Sequence, residues 1–331
     1  MTQAAQLHIE VAVERRALRA PVRLSFGVLT EVALLVVTLR RGDAMGQGEA
    51  AGVLYLDDTP EHGRATIEER RAALASISSR QELQTLLPPG GARNAVDCAL
   101  WALEANEQGT SIAALAGVPN APLLTTFTLG ADDPDTMARV AVDLTEARAL
   151  KLKLTGDATL DAARVRAVRA ARADVWIGVD ANQGYRPETL PDLFSALIDA
   201  RVALLEQPLP RGREPDMMPC PVPTAADESC QDLTELEALV GRFEAVNIKL
   251  DKCGGLTEAL AMAARARVLG LGVMVGNMIG TSLAMIPAMA VGQLCDIVDL
   301  DGPLALREDR APSVRYHEGK VWPPASASRT A

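Results

Sequence analysis

The stretch VWIGVDAN, residues 175–182, guides the fold prediction because it is a short apolar run that ends in an acidic, polar tip. Short apolar runs of this kind recur through the C-terminal two thirds of the chain. They are Leu123–Leu129, Ala149–Leu154, Val175–Val179, Val202–Leu205, Val222–Ala225, Ala245–Leu250, Val273–Val275 and Ile297–Leu300. Helix-like segments such as Leu160–Ala173 and Leu256–Leu269 separate them. Eight short strands that alternate with helices indicate an α/β protein with a parallel sheet closed into a barrel.

An open, doubly wound sheet is the alternative arrangement for the same alternation of strands and helices. A glycine-rich dinucleotide loop after the first strand would favour that sheet, and the sequence contains none.

The first part of the chain has a different pattern. Residues 1–60 alternate in polarity as strands do, and Glu31–Arg40 (EVALLVVTLR) is the strongest strand among them. Residues 61–118 are helical in pattern, with Glu68–Ala75 and Ala92–Glu107 as the clearest helices. We therefore predict an α+β domain before the barrel.

Three predicted barrel strands end in a carboxylate. Asp180, Glu206 and Asp227 follow successive strands at spacings close to one strand–helix unit. The carboxyl ends of parallel barrel strands meet at one rim, where active sites form. Three carboxylates brought together there would repel one another, and a divalent cation such as Mg²⁺ with hard oxygen ligands would resolve the repulsion. Any one of these acids taken alone would more often cap a helix.

Lysines occur on the strands that flank these acids. Lys151 and Lys153 alternate on one strand, so both face the barrel interior, and Lys249 belongs to a strand across the barrel. A buried lysine is costly unless it is paired or functional. A second cation beside a lysine lowers its pKa, which would make the amine a usable base. The alternative is that these lysines only neutralise the acids.

The amino-acid composition argues against several classes of function. The formal net charge of −10 and the pI near 5.0 argue against a nucleic-acid partner. The three histidines, His8, His62 and His317, lie near the chain ends, so a Ser-His-Asp mechanism or a histidine-rich metal site is not expected. The uncharged stretch 268–295 is long enough to span a bilayer, but its glycines and polar residues favour a buried strand, loop and helix. Five scattered cysteines and no signal-peptide pattern favour a cytoplasmic protein that does not act on membranes.

The ordered motifs resemble the enolase superfamily, and most closely its dipeptide epimerases. The stretches that carry the resemblance are LKLKLTGD (150–157), VDANQGY (179–185), LEQPLP (205–210), AADES (225–229), NIKLDKCGGLTEAL (247–260), MVGNMIGTSLAM (274–285) and VDLDGPL (298–304). GQGEA (46–50) extends the resemblance weakly into the first domain. The resemblance implies a modified TIM barrel, (β/α)7β, over residues 121–302. It also implies an α+β capping domain over residues 1–120, to which residues 303–331 return.

The resemblance also implies roles for individual residues. Asp180, Glu206 and Asp227 would bind Mg²⁺, and Lys153 and Lys249 would be the acid/base pair. Asp299 and Asp301 resemble an Asp-x-Asp pair that holds the ammonium end of a dipeptide. Two loops, near Arg19–Leu29 and Ala50–Thr59, would close over the site. The other candidate substrate-binding residues are Lys151, Asn182, Met278, Tyr55 and Arg23.

Two features depart from close relatives. Gly276-Asn277-Met278 stands where relatives carry Gly-Cys-Met, and the loop GVLYLDD (52–58) has no arginine of the kind found in relatives selective for acidic dipeptides. The sequence therefore leaves the side chains of the substrate open.

The expected function is a Mg²⁺-dependent epimerase that inverts the α-carbon of a dipeptide's C-terminal residue by two-base proton transfer through an enediolate. The alternatives within the superfamily are an N-succinylamino-acid racemase, an o-succinylbenzoate synthase and a muconate cycloisomerase. More distant alternatives are a Schiff-base lysine aldolase and a non-catalytic binding homologue. We also expect a homo-oligomer, as for most soluble enzymes of this kind.

Overall fold

Long antiparallel strands form the sheet of the N-terminal domain in the computed structural model, which describes residues 7–24 and 27–325 and omits the side chains of residues 22–24 and 27–28. The strands are β1 (His8–Leu24), β2 (Gly27–Arg41) and β3 (Ala44–Ala50). β2 contains the predicted strand Glu31–Arg40, and Leu34, Val37 and Leu39 on it are fully buried. Residues 25 and 26 of the first expected capping loop, 19–29, lie outside the described residues, and on either side of them β1 and β2 pair, Val22 with Leu29 and Leu24 with Gly27.

The helices of this domain pack on one face of the sheet. They are α1 (Pro60–Glu69), α2 (Arg71–Leu74), α3 (Arg80–Leu86), α4 (Gly91–Glu107) and α5 (Ile112–Leu115). Helix α4 lies directly against β3, where Gly46 and Gly48 allow the two backbones to approach. A Cβ atom at Gly46 would lie 2.2 Å from the Ala99 carbonyl oxygen, and one at Gly48 would lie 2.1 Å from that of Ala95. The GQG stretch is therefore required by the close packing of β3 and α4.

Eight parallel strands form the barrel of the C-terminal domain. After the short strand β4 (Leu123–Leu124), they are β5 (Phe127–Leu129), β6 (Ala149–Lys153), β7 (Trp176–Asp180), β8 (Leu204–Glu206), β9 (Thr224–Ala226), β10 (Ala245–Lys249), β11 (Gly272–Gly276) and β12 (Ile297–Val298). They pair in chain order from β5 to β12. Between the two ends of this order, the Thr126 amide donates to the Val298 carbonyl at 2.9 Å. The sheet therefore curls onto itself, and the barrel prediction is confirmed.

The connections between barrel strands differ from a uniform strand–helix repeat. The α-helices are α6 (Pro134–Asp143), α7 (Ala158–Ala171), α8 (Phe194–Asp199), α9 (Leu250–Cys253), α10 (Leu256–Val268) and α11 (Ser282–Gly292). Between β8 and β9 there is only the 3₁₀ turn Glu214–Asp216, and between β9 and β10 only the 3₁₀ helix Leu233–Leu239. Six prolines lie between residues 208 and 223, and each removes a backbone donor that a helix would need.

Buried polar contacts tie the two domains together. The Glu49 carboxylate, which follows the GQG stretch, accepts from the Thr281 amide at 2.7 Å and from the Thr281 hydroxyl at 2.6 Å. Thr281 is the N-cap of α11, so Glu49 satisfies donors at the start of a barrel helix. The Arg93 guanidinium on α4 donates to the Cys253 carbonyl at 2.7 Å and pairs with Glu258.

Asp251, just beyond β10, anchors the second expected capping loop. Its Oδ1 accepts from the backbone amides of Ala51 at 2.8 Å and Gly52 at 3.0 Å. Burial raises the pKa of Asp251 to about 7, although the two amide hydrogen bonds oppose the shift. The loop that follows β3 is thus held against the barrel by a carboxylate that lies two residues after Lys249.

The C-terminal segment contacts both domains. The Arg307 amide donates to the Ala17 carbonyl on β1 at 2.8 Å, and Arg310 pairs with Glu14 at 2.6 Å. Strands β13 (Arg315–His317) and β14 (Lys320–Trp322) then form a hairpin that pairs with β4.

None of the helices in the described ranges is long and apolar enough to cross a membrane.

We expect Glu49→Ala to lower the free energy of unfolding by about 1–3 kcal/mol, because two buried donors on Thr281 lose their acceptor. Urea denaturation would measure the change. Glu31→Ala, which removes an exposed partner of Arg15, should stay within about 0.5 kcal/mol of the wild type. Equal effects of the two substitutions would contradict the role of Glu49.

Asp251→Asn should stabilise the protein relative to the wild type more at pH 8 than at pH 5. The folded protein holds the Asp251 proton up to about pH 7, whereas the unfolded chain releases it near pH 4, so wild-type stability falls as the pH rises across this window. Asparagine keeps an acceptor oxygen but does not ionise. Urea denaturation at both pH values would test this. Asp199→Asn at an exposed position is the control, and a pH-independent difference for Asp251→Asn would refute the prediction.

Candidate active site

The three predicted acids meet at the carboxyl end of the barrel. Asp180 ends β7, Glu206 ends β8, and Asp227 follows β9 directly. The register pairs Asp180 with Glu206, so neighbouring strands deliver their carboxylates at the same level. One oxygen from each carboxylate lies within 4.8 Å of the others, and all three side chains are buried. We call this group the acid triad.

Lysines flank the acid triad on both sides. Lys153 on β6 lies 2.6 Å from the Asp180 carboxylate, and Lys249 on β10 lies 2.6 Å from the Asp227 carboxylate. β6 and β10 are four strands apart in the eight-stranded barrel, so the two amines approach from opposite sides. The structure therefore brings together the two lysines and three acids that the sequence singled out.

Lys151 is buried among carboxylates. Its ammonium lies 2.7 Å from Glu206, 2.9 Å from Asp299 and 3.2 Å from Asp180. Burial disfavours the charged amine, but Asp299, Glu206 and Asp180 together raise the pKa of Lys151 well above its usual value. The pKa of Lys249 is also raised, because Asp227 outweighs the burial that opposes it. At Lys249, the Asp227 charge thus outweighs both burial and the nearby Lys151 charge, each of which lowers the pKa.

The acids respond unequally to this crowding. Burial and the Asp180 charge raise the pKa of Glu206 to about 7, and Lys151 only partly offsets them. Burial acts in the same direction on Asp180, but Lys153 and Lys151 lower its pKa to about 2. For Asp227, Lys249 and Lys252 overcome burial and lower the pKa. A fixed positive charge near the triad therefore decides which carboxylates remain ionised.

Lys252 belongs to the site, although the sequence analysis gave it no role. Its amine donates to the Asp227 carboxylate at 2.7 Å and to the Asn247 carbonyl at 3.0 Å. The chain has five lysines, and all except Lys320 lie in this centre: Lys151, Lys153, Lys249 and Lys252. The rarity of lysine along the chain was the signal that could have identified Lys252.

Gln207 is a second residue whose role the motif alone did not reveal. Its side-chain carbonyl accepts from the Asp227 amide at 2.9 Å and the Ser229 amide at 3.0 Å. Its amide group donates to the Ser229 hydroxyl at 2.7 Å. Gln207 has a φ of 36°, a strained value for a residue with a side chain. The strain and these three hydrogen bonds fix the segment that carries Asp227.

The two aspartates of the Asp-x-Asp pair have different surroundings. Both carboxylate oxygens of Asp299 are hydrogen-bonded inside the barrel, one to the Lys151 ammonium at 2.9 Å and the other to the Thr126 hydroxyl at 2.5 Å. Asp301 is half-buried and accepts from the Thr128 amide at 2.6 Å. Among the described residues, Asp301 has no ion-pair partner. Burial and the charge of Asp299 raise the pKa of Asp301 to about 6.

Tyr55 reaches the site from the N-terminal domain. It lies on the exposed 3₁₀ turn Leu54–Leu56, and its hydroxyl accepts from the Gln231 amide group at 3.4 Å. Gln231 lies in the loop that begins with Asp227. Burial of the hydroxyl, together with the negative charge of Asp227, raises the pKa of Tyr55. The Ala50–Thr59 loop therefore reaches the loop that carries Asp227.

The remaining predicted residues are less directly placed. Asn182 is exposed, and its backbone amide donates to the Asp180 carboxylate at 2.9 Å. Met278 is half-buried in the loop after β11. Arg23 lies in β1, and its side chain falls outside the described residues.

This arrangement suits proton transfer at a carbon next to a carboxylate. Three hard oxygen donors can hold a divalent cation, and an amine stands on either side of them.

Comparisons with known proteins agree with this geometry. Residues 7–117 match the mandelate racemase / muconate lactonizing enzyme N-terminal domain, and residues 135–327 match the enolase C-terminal domain-like family. An L-Ala-D/L-Glu epimerase of Escherichia coli is 39% identical over 95% of this chain and 98% of its own length. An N-acetyl-D-glutamate racemase of a Pseudoalteromonas species is 37% identical over 75% of this chain and 80% of its own length.

A solved structure extends the comparison to three dimensions. The dipeptide epimerase of Methylococcus capsulatus, complexed with Mg and the dipeptide L-Arg-D-Lys, superposes with a TM-score of 0.89 at 28% identity. The superposition covers 96% of this chain and 97% of that protein. These relatives are epimerases and racemases, so the chain is an isomerase. Both family models and the full-length relatives show that the chain belongs to the enolase superfamily.

Proposed function

We propose that this isomerase is a dipeptide epimerase that inverts the α-carbon of the substrate's C-terminal residue, with Mg²⁺ held by Asp180, Glu206 and Asp227. The observation that carries the proposal is the position of Lys153 and Lys249, one on each side of the acid triad. A substrate carboxylate held at the triad would have its α-carbon between the two amines. Inversion requires a proton to leave one face of that carbon and another to arrive at the opposite face.

The two lysines would divide this work. The Lys249 side chain is nearly buried, and Asp227 favours its ammonium form, which suits it to deliver a proton. Lys153 is more exposed and would remove the α-proton from the other face as a neutral amine. The roles exchange for the opposite stereoisomer, because each face has its own acid or base. Lys151 lies beside Lys153 on β6 and between two of the triad carboxylates, where its charge helps to keep Asp180 ionised and partly offsets the burial of Glu206.

The acid triad fits a magnesium ion. Magnesium prefers oxygen ligands at about 2.0–2.1 Å, which places ligand oxygens about 3–4 Å apart, and the triad oxygens already lie within 4.8 Å. The buried Asn247 side chain donates to Glu206 at 2.8 Å and would orient that ligand. When bound, the ion would supply positive charge beside the substrate carboxylate, where negative charge develops as the α-proton leaves.

The substrate's free ammonium would be received by Asp301. Asp301 has no ion-pair partner among the described residues, and it lies on the segment after β12 that also supplies Asp299 to Lys151. A free ammonium distinguishes a dipeptide from an N-acylated amino acid. The dipeptide ligand of the Methylococcus capsulatus epimerase supports the same substrate class.

An N-acyl amino-acid racemase is the second candidate. The Pseudoalteromonas racemase is 37% identical, and the commitment of Asp299 to Lys151 leaves one aspartate rather than two for an ammonium group. Incubation in deuterated water with a dipeptide library and a set of N-acetyl and N-succinyl amino acids would decide between them. Deuterium in dipeptides alone supports the proposal, whereas deuterium in N-acyl amino acids alone overturns it.

Lys153→Ala and Lys249→Ala should each lower the epimerisation rate by about 10²–10⁴-fold, because one of the two proton carriers is lost. Each variant should still exchange the α-proton of one stereoisomer with deuterated solvent. Circular dichroism would follow epimerisation, and mass spectrometry would follow exchange. Lys320→Ala on β14 is the matched control and should retain full activity. Full epimerisation by either active-site variant would refute the two-base scheme.

Mg²⁺ should raise the melting temperature of the wild type, because it binds the folded triad and not the unfolded chain. At a Mg²⁺ concentration 100 times the dissociation constant, the stabilisation is about 2.7 kcal/mol. Asp180→Asn should lose most of the shift, and Asp199→Asn at an exposed position should keep it. The measurement is thermal denaturation with Mg²⁺ or EDTA. A wild type that does not respond to Mg²⁺ would exclude the metal assignment.

A further inference from the structure

The Asp299–Gly302 segment needs external support, because β12 contains only two residues and no barrel helix follows it. The segment runs on from Val298 past the end of the sheet. Its aspartates are nevertheless held at the level of the acid triad, since Asp299 contacts Lys151. The contacts that hold the backbone of this segment therefore decide where both carboxylates lie.

Asn277 supplies part of that support from the neighbouring strand, in addition to two hydrogen bonds made by the Leu300 backbone. It follows β11 directly, and its side-chain amide donates to the Asp299 carbonyl at 2.7 Å. Its side-chain carbonyl accepts from the Gly302 amide, also at 2.7 Å. One side chain thus bonds to the backbone on both sides of Asp301. We call these two hydrogen bonds the Asn277 bridge.

The Asn277 bridge requires a residue without a side chain at position 302, which is Gly302. A Cβ atom at position 302 would lie 2.3 Å from the Asn277 side-chain oxygen and 2.8 Å from the Met278 carbonyl. Any larger residue would push the segment away from the loop after β11. This close approach brings the amide of Gly302 within hydrogen-bond distance of the Asn277 side chain.

Asp301 is the residue that the bridge positions. Its carboxylate accepts from the Thr128 amide at 2.6 Å, and it makes no ion pair with the described residues. Asp299, in contrast, is occupied by Lys151 and Thr126. A cationic group of a ligand would therefore find its counter-charge at Asp301.

We propose that Asn277 is a specificity-determining positioning residue, which holds Asp301 so that the enzyme selects substrates with a free N-terminal ammonium over N-acylated ones. This inference rests on the proposed dipeptide epimerase function. Within the described part of the chain, the Asn277 side chain hydrogen-bonds only to the backbone of the Asp299–Gly302 segment, so it acts through Asp301 and not on the reacting carbon.

The chemistry of the side chain explains why asparagine suits this position. The bridge needs one donor and one acceptor on a single short side chain, which an amide provides. An aspartate at position 277 would place a second acceptor against the Asp299 carbonyl. An alanine would leave both backbone groups without a partner.

The test compares Asn277→Ala with the wild type on two ligands that differ only at the N-terminus. The first is the best dipeptide found by deuterium exchange, and the second is its des-amino analogue, in which hydrogen replaces the ammonium. We expect the KM for the dipeptide to rise about tenfold, because a charged hydrogen-bonding contact is weakened, and kcat to change less than about threefold. The inhibition constant of the des-amino analogue should stay the same.

Gly302→Ala provides an independent variant that disturbs the same bridge from its other end, and it should show the same pattern. Asn106→Ala is the matched control, because the Asn106 side chain also accepts a hydrogen bond from a backbone amide, that of Met45 in the N-terminal domain. Thermal denaturation would confirm that each variant is folded. An unchanged KM in folded Asn277→Ala, or equal weakening of both ligands, would overturn the inference. A wild type that exchanges no dipeptide would overturn the proposed function itself, which is a different result.

Discussion

The convergence of buried carboxylates at one rim of the barrel is the constraint on which the rest of the structure depends. Asp180, Glu206 and Asp227 arrive together because parallel strands in register end at the same level. Uncompensated, this cluster would be strongly destabilising. Lysines on the strands at either side compensate the negative charge of these acids, and the chain has almost no lysine elsewhere. The same amines that balance the acids are then in position to carry protons.

The N-terminal domain completes the site through backbone contacts rather than through a large set of functional side chains. Gly46 and Gly48 let α4 lie against β3, and Glu49 joins that unit to the start of α11. Asp251 then holds the beginning of the loop that carries Tyr55. Because Asp251 lies two residues after Lys249, the loop that carries Tyr55 is attached to the chain just beyond the end of β10, close to Lys249.

The Asp-x-Asp pair illustrates how similar residues in one motif acquire different functions from their neighbours. Asp299 points to Lys151 and Thr126 and becomes part of the charge balance of the interior. Asp301, two residues later, has only Thr128 as a partner among the described residues and can serve a ligand. The Asn277 bridge separates these roles by fixing the backbone between them.

The sequence by itself determined the barrel, the strands and the convergence of the acid triad, because each rests on local patterns. Apolar runs such as Val175–Val179 predict strands, and the acids that follow parallel strands lie at the same rim of the barrel. Only the tertiary structure decided that no α-helix joins β8 to β9 and that β1 pairs with β2 up to Leu24 and Gly27. It also decided the raised pKa of Lys249 and the different partners of Asp299 and Asp301. The bonds of Gln207 and Lys252 to the Asp227 segment likewise appear only in the folded chain. These features depend on which side chains meet across long separations in sequence, and on the balance between burial and charge at that point, which no local pattern encodes.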